Sequence, residues 1–207
     1  MGGCSAFWSE RSVCIKSLPT LKDYTKKKTT LYKERDETKR VTFIKQLALH
    51  PKESLVYVDE SGIDSYQHRS FGWSKRGELV MEEVSGKRFA RESFVAAKCG
   101  SKILAPFCFQ GTCNTELFHK WVEAFLIPAL TPGQVVILDN ATFHKAEKTR
   151  KAIEKAGCSL LFLPPYSPDL NPIETFWANL KAKIRTCIHT FSTLSQAIDY
   201  AFSMYFL

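Results

Sequence analysis

No stretch of the 207-residue chain reaches the roughly 18 consecutive apolar residues that a membrane-spanning helix needs. The N-terminus has no apolar signal region, and Met1-Gly2 is followed by Ala6 where a myristoylation motif requires Ser or Thr. Zinc motifs are missing too. The seven cysteines (Cys4, Cys14, Cys99, Cys108, Cys113, Cys158 and Cys187) include no CxxC pair and no Cys/His spacing suited to zinc. Odd in number and scattered, they read as buried, reduced thiols. Together these absences predict a soluble, intracellular protein without membrane contact.

What is present supports a real core. Hydrophobic residues make up 44% of the chain, and the length allows one full domain plus an appendage. Charge is lopsided, with 29 Lys and Arg against 21 Asp and Glu, a net +8. A basic surface favours a polyanion, and nucleic acid is the commonest one in a cell. Half of that excess lies in residues 26–40, where Lys26, Lys27, Lys28, Lys33, Arg35, Lys39 and Arg40 face only Glu34, Asp36 and Glu37. Such a run is either a solvated linker or an arm that tracks phosphates, and composition leaves both open. A short helix should follow, because Val41, Ile44, Leu47 and Ala48 share one face before His50-Pro51 ends it.

Beyond that point the pattern is strand-rich α/β. Leu55-Val56-Tyr57-Val58 is a compact apolar run ending in Asp59, and residues around 66–73, 92–98 and 103–109 suggest an antiparallel meander. Residues 115–127 read as a helix behind Asn114 as cap, and Val135-Val136-Ile137-Leu138 as a buried strand ending in Asp139-Asn140. A charged helix over about 145–156, a strand over 159–163, and helices near 172–187 and 193–205 complete the order. Strands, helix, strand, helix, strand, helix is the order of a ribonuclease H-like fold, although other α/β folds share it.

Chemistry is carried by carboxylates. One Asp at the end of a strand usually marks a chain that is surfacing. Two, Asp59 and Asp139, can meet if their strands are neighbours, and carboxylates that close repel unless a cation lies between them. Magnesium or manganese, which take oxygen ligands, suit that position. A third carboxylate, Glu174, follows Asn171 and Pro172. Its spacing is that of a capping box, in which Asn171 caps the helix and Glu174 bends back to the backbone. It is equally that of a carboxylate held ionised by a helix N-terminus and aimed at a shared site.

The segment 163–174, continuing into Phe176-Trp177 and Leu180-Lys181, resembles the signature around the last carboxylate of mariner-superfamily DDE transposases. Val58-Asp59-Glu60-Ser61-Gly62 is similar to the first catalytic strand of the bacterial insertion-sequence branch. Ile137-Leu138-Asp139-Asn140-Ala141-Thr142-Phe143-His144 is similar to the second. Between Asp139 and Glu174 lie 34 residues, the spacing of that branch. The resemblance runs from about residue 26 to the C-terminus.

The resemblance implies an α/β, ribonuclease H-like catalytic domain with a mixed five-stranded sheet flanked by helices. It implies metal-dependent cleavage and strand transfer of double-stranded DNA at transposon ends and target, with a homodimer in the DNA complex and a nucleoid-associated location in the cytoplasm. Two Mg²⁺ or Mn²⁺ ions would be held by Asp59 between them and by Asp139 and Glu174 on either side. Glu60, alternating to the other face of its strand, should stand behind the metal ligands. Asn140 and His144 either hydrogen-bond within their loop or orient substrate. On the last-carboxylate helix, Lys181 and Arg185 align with Glu174 and would follow a DNA backbone, or simply form a solvated face.

Relatives carry helical DNA-reading modules ahead of the catalytic domain, and only 58 residues precede Asp59. The expectation is therefore a shortened segment over 1–49, comprising basic arm and helix, and a catalytic domain over 50–207. Besides an active transposase, a catalytically silent remnant that binds DNA and a general ribonuclease H-like nuclease remain compatible with the sequence.

Overall fold

The computed structural model describes residues 32–65, 77–79, 81 and 91–205. Lys26, Lys27 and Lys28, the strand expected over 66–73, and Cys4 and Cys14 lie outside the described residues. From Tyr32 onward the chain forms one compact unit. At its centre is a five-stranded sheet of β1 (Leu55–Asp64), β2 (Arg91–Cys99), β3 (Lys102–Gln110), β4 (Val135–Leu138) and β5 (Ser159–Phe162). The spatial order is β3-β2-β1-β4-β5, antiparallel across β1–β2–β3 and parallel across β1–β4–β5. The mixed sheet expected from the sequence is thus found.

Each half follows from its sequence. All four residues of β4 are buried, as a parallel strand covered on both faces requires. The β2–β3 hairpin turns at Gly100-Ser101, with Gly100 at φ 56°, a conformation glycine adopts without strain. β3 lies at the sheet edge and bulges opposite Val95 and Ala97, which is where Pro106, lacking an N–H, falls. Ala105 at that bulge takes φ 49°, and its carbonyl accepts a hydrogen bond from Trp121 Nε1 at 2.9 Å.

Helices cover both faces. On one, Val56, Val58 and Leu138 pack against the helical stretch 115–129 and α4 (Glu147–Lys155) through Phe118, Trp121 and Ile153. The stretch 115–129 consists of α2 (Thr115–Trp121), a π turn over Val122–Leu126 and a short α3 (Ile127–Ala129). Asn114 caps α2 as expected, accepting from the Glu116 and Leu117 amides. The opposite face holds α5 (Ile173–Cys187) and α6 (Leu194–Ser203), whose Trp177, Leu180 and Ile198 cover Phe94 and Ala96. Among the described residues no helix is long and apolar enough to cross a membrane.

Three expectations need correction. β1 does not stop at Asp59 but runs five residues further, because β2 continues to pair with it as far as Asp64. The first helix, α1 (Glu37–Leu47), starts before Val41, since Asp36 caps it by accepting from the Lys39 amide at 3.1 Å. The end of the charge run is therefore structured, with Arg40 buried. Of the described cysteines only Cys158 is buried, while Cys99, Cys108, Cys113 and Cys187 are partly exposed. All five are free thiols, and burial pushes Cys108 and Cys113 up to about 12.

Candidate active site

Parallel pairing sets the first two carboxylates side by side. Leu55, Val56 and Tyr57 stand opposite Val135, Val136 and Ile137, and continuing that register puts Asp59 level with Asp139. Alternation sets their direction. Val56, Val58, Val136 and Leu138 belong to the core beneath α2 and α4, so the odd-numbered Asp59 and Asp139 turn to the α5 face. There they line a cavity of about 540 Å³ together with Asn140, the 163–168 segment and Glu174 from the first turn of α5.

Glu174 does not close a capping box. Asn171 has an extended backbone before the helix, yet its side chain caps nothing, and its Oδ1 is buried without a hydrogen-bond partner. The Glu174 amide bonds instead to the Asn171 carbonyl at 3.2 Å, and the exposed side chain lines the cavity. Asn140 also lines it, and its amide donates to the Leu163 carbonyl, tying the end of β4 to the end of β5.

Electrostatics of the cavity are severe. Burial, followed by the charges of Glu174, Glu60 and Asp139, pushes the Asp59 carboxyl up to about 8. Trp177 Nε1 donates to Asp59 Oδ2 at 3.2 Å. Asp139 goes the other way. Burial would raise it, but the His144 bond, the Ala141 amide and the positive charges of His144 and Lys145 together lower its pKa.

Glu60 turns to the opposite face and reaches the same centre through His144. The His144 ring is fully buried, with Nδ1 2.6 Å from Asp139 Oδ1 and Nε2 2.9 Å from Glu60 Oε1. Phe118 and Phe143 enclose it, each centroid 4.3 Å away. Burial alone would lower the His144 pKa. The two carboxylates outweigh it and raise the imidazole to about 9, which favours the cation, the form able to donate from both nitrogens. Being buried, His144 meets no substrate.

Lys181 is half-buried two turns along α5. Burial lowers its pKa, Glu174 opposes that, and Arg185 and Arg91 add to the lowering, so all four charges act in one neighbourhood. Arg185 is exposed.

Two residues were read differently from sequence. Trp177, which the sequence shows only as part of the segment following Glu174, is buried in the core, and its indole also bonds Asp59. Its position three residues after Glu174 was the available signal. Arg40 belongs to the charge run that the sequence leaves open between solvated linker and phosphate-tracking arm. It is buried and bonded through both terminal nitrogens to Asp169 at 2.9 and 2.7 Å, five residues before Glu174.

The donor set fits a hard divalent cation: carboxylates share a cavity, and one of them is held above its ordinary pKa by burial and then by the others' charge. Among the described residues no three His, Cys, Asp or Glu side chains are drawn together as a complete ligand group.

Fold and cavity together define a ribonuclease H-like protein with a carboxylate site. The chain belongs to the DDE superfamily endonucleases, whose family model matches residues 54–197. Among curated proteins none matches. Solved structures of Mos1 transposase share the fold. The Mos1 strand transfer complex superposes with a TM-score of 0.65 at 17% identity, over 89% of this chain and 59% of that one. The Mos1 transposase paired-end complex with left transposon end gives 0.63 at 15%, over 89% and 60%. Mos1 transposase catalytic domain with Raltegravir and Mn gives 0.56 at 15%, over 82% and 78%. The chain thus spans about 60% of the length of the Mos1 chains in those DNA complexes.

Proposed function

We propose that this chain is the catalytic domain of a DDE transposase that cleaves DNA and joins strands, with Asp59, Asp139 and Glu174 as its catalytic carboxylates. The observation that carries this reading is that Asp59 of β1 and Asp139, the first residue beyond the neighbouring parallel β4, line one cavity with Glu174. The 34-residue interval from Asp139 to Glu174 supports the bacterial insertion-sequence branch. Double-stranded DNA ends as substrate, and two copies acting on paired ends, are part of the same reading, in line with the paired-end complexes of the structural neighbours.

Asp59, Asp139 and Glu174 would hold magnesium or manganese, as the Mos1 complexes with Mg and Mn support. When bound, such ions supply charge neutralisation at the phosphodiester and activation of the attacking hydroxyl. The chain itself supplies orientation. Trp177 restrains one oxygen of Asp59, while His144 and the Ala141 amide both bond Oδ1 of Asp139. Glu60 holds the far side of the imidazole, so Asp139 is braced from a core on the other face of the sheet. Glu174 rides on a helix whose first turn is fixed to the Asn171 carbonyl.

The test is cleavage of duplex DNA bearing the element's own ends, with Mg²⁺ and then Mn²⁺. Metal-dependent cleavage is expected, abolished in Asp139→Asn while circular dichroism and nonspecific DNA binding stay near those of the parent. Cleavage by that variant near the parent rate would remove Asp139 from the mechanism. DNA binding without any cleavage by the parent would favour a silent remnant.

A further inference from the structure

A second groove, of about 380 Å³, runs beside the catalytic cavity. One wall is α1, which presents Lys39 and a polar row of Thr38, Thr42 and Gln46 at four-residue intervals. The other is Phe162 with the 163–165 segment. Asn140 and residues 163–165 also line the catalytic cavity, so that segment is a ridge shared by the two hollows.

Their chemistry is opposite. Three carboxylates line the catalytic cavity, and among the described residues none lines the groove. Cations flank its far wall: Lys145 Nζ lies 6.0 Å and the Arg150 guanidinium 5.9 Å from the centre of the Phe162 ring. The acids nearest these cations hold them loosely. Lys39 meets Asp36 at 3.3 Å, and Arg150 meets Glu147 and Glu154 at 4.0 and 3.8 Å, all in exposed pairs that a phosphate can replace. The Thr38 hydroxyl and the Gln46 amide with three cations match phosphate oxygens, while the Thr42 hydroxyl donates to the Thr38 carbonyl at 2.9 Å, and Phe162 with two prolines offers an apolar surface to sugars.

We infer that this groove carries the DNA backbone on one side of the scissile phosphate, with the 163–165 ridge steering the strand out of the catalytic cavity. This rests on the reading of the chain as a DNA-cleaving enzyme, and it assigns the path to Lys39, Thr42, Lys145 and Arg150 rather than to the basic run before α1.

The experiment is a fluorescence anisotropy titration of labelled duplex DNA at several salt concentrations, with every protein in the uncleaving Asp139→Asn background. Replacing Lys39, Lys145 and Arg150 by Ala should weaken binding about tenfold or more, equally for all sequences. It should also lower the log–log salt slope by about 2–3 units. Removing three lysines elsewhere on the surface (Lys52, Lys102 and Lys155) should cost much less. Thr42→Glu, at an exposed helix position, should weaken binding by itself. If the background protein binds DNA and the groove triple binds as tightly, or loses no more than the control triple, the groove is overturned while the cleavage reading stands. If the background protein binds no DNA, both fall.

Discussion

Asp59 shows what a buried carboxylate crowded by others does to the protein that holds it. Its carboxyl sits at about 8 in the folded chain, against about 3.9 for a free aspartate. The folded state therefore holds its proton over a range where the unfolded chain has released it. Stability from this group is fully present below pH 4 and is lost as pH rises through 8. His144 has the same sign. Raised to about 9, it contributes stability that is complete below about pH 6.5 and fades towards pH 9. Asp59→Asn removes the first of these penalties and keeps the shape. In EDTA at pH 8 that variant should melt roughly 5 °C or more above the parent, with the gap much smaller at pH 5 and closing only towards pH 4. Equal gaps at the two pH values would show that Asp59 ionises in the fold without strain. At this scale the sequence names much of the cavity, because Asp, Asn and Glu after apolar runs stand out. It could not show that Arg40 is buried, since its partner Asp169 lies 129 positions away.

At the scale of elements, the Arg40–Asp169 pair joins α1 to the loop that delivers Glu174. Phe43 of α1 packs with Leu55, Ile137 and Leu163, so the helix touches the ends of β1, β4 and β5. Arg40 is nearly enclosed and Asp169 half-exposed, which places the pair between a buried and a surface bridge. Arg40→Ala should cost about 1–3 kcal/mol in urea unfolding, as expected for hydrogen bonds to a charged group. In a double-mutant cycle with Asp169→Ala, the coupling should be about 1 kcal/mol or more. Additive effects would mean that Arg40 acts by packing alone. Arg40→Lys should recover little, because a single ammonium cannot match the two-pronged contact. Strand and helix order was legible here because β4, α2 and α6 carry clean periodicity and caps. The overrun of β1 past Asp59 was not, because polar Glu60, Ser61 and Gly62 are kept in the strand by pairing with β2, a contact invisible to local pattern.

At the scale of the described fold, several acids are concentrated at one place. The chain carries +8 overall, yet it gathers Asp59, Asp139 and Glu174 around one hollow, with Glu60 close behind. The sheet and the apolar cores on its faces must hold that arrangement together against its own repulsion, so the metal-free protein is less stable than its core would allow. A divalent ion that binds only the folded chain reverses this, by about 2.7 kcal/mol when its concentration is a hundredfold above the dissociation constant. For a body of this size, that corresponds to roughly 5–10 °C in melting temperature. The parent protein should therefore gain several degrees on addition of Mg²⁺ or Mn²⁺, and almost nothing from NaCl at matched ionic strength. Asp59→Asn and Asp139→Asn should each lose most of the gain, while Lys102→Ala, on the β2–β3 hairpin, should keep it. A gain of equal size in the parent and in both carboxylate variants would place the ion elsewhere, and the shared cavity would then not be the metal site.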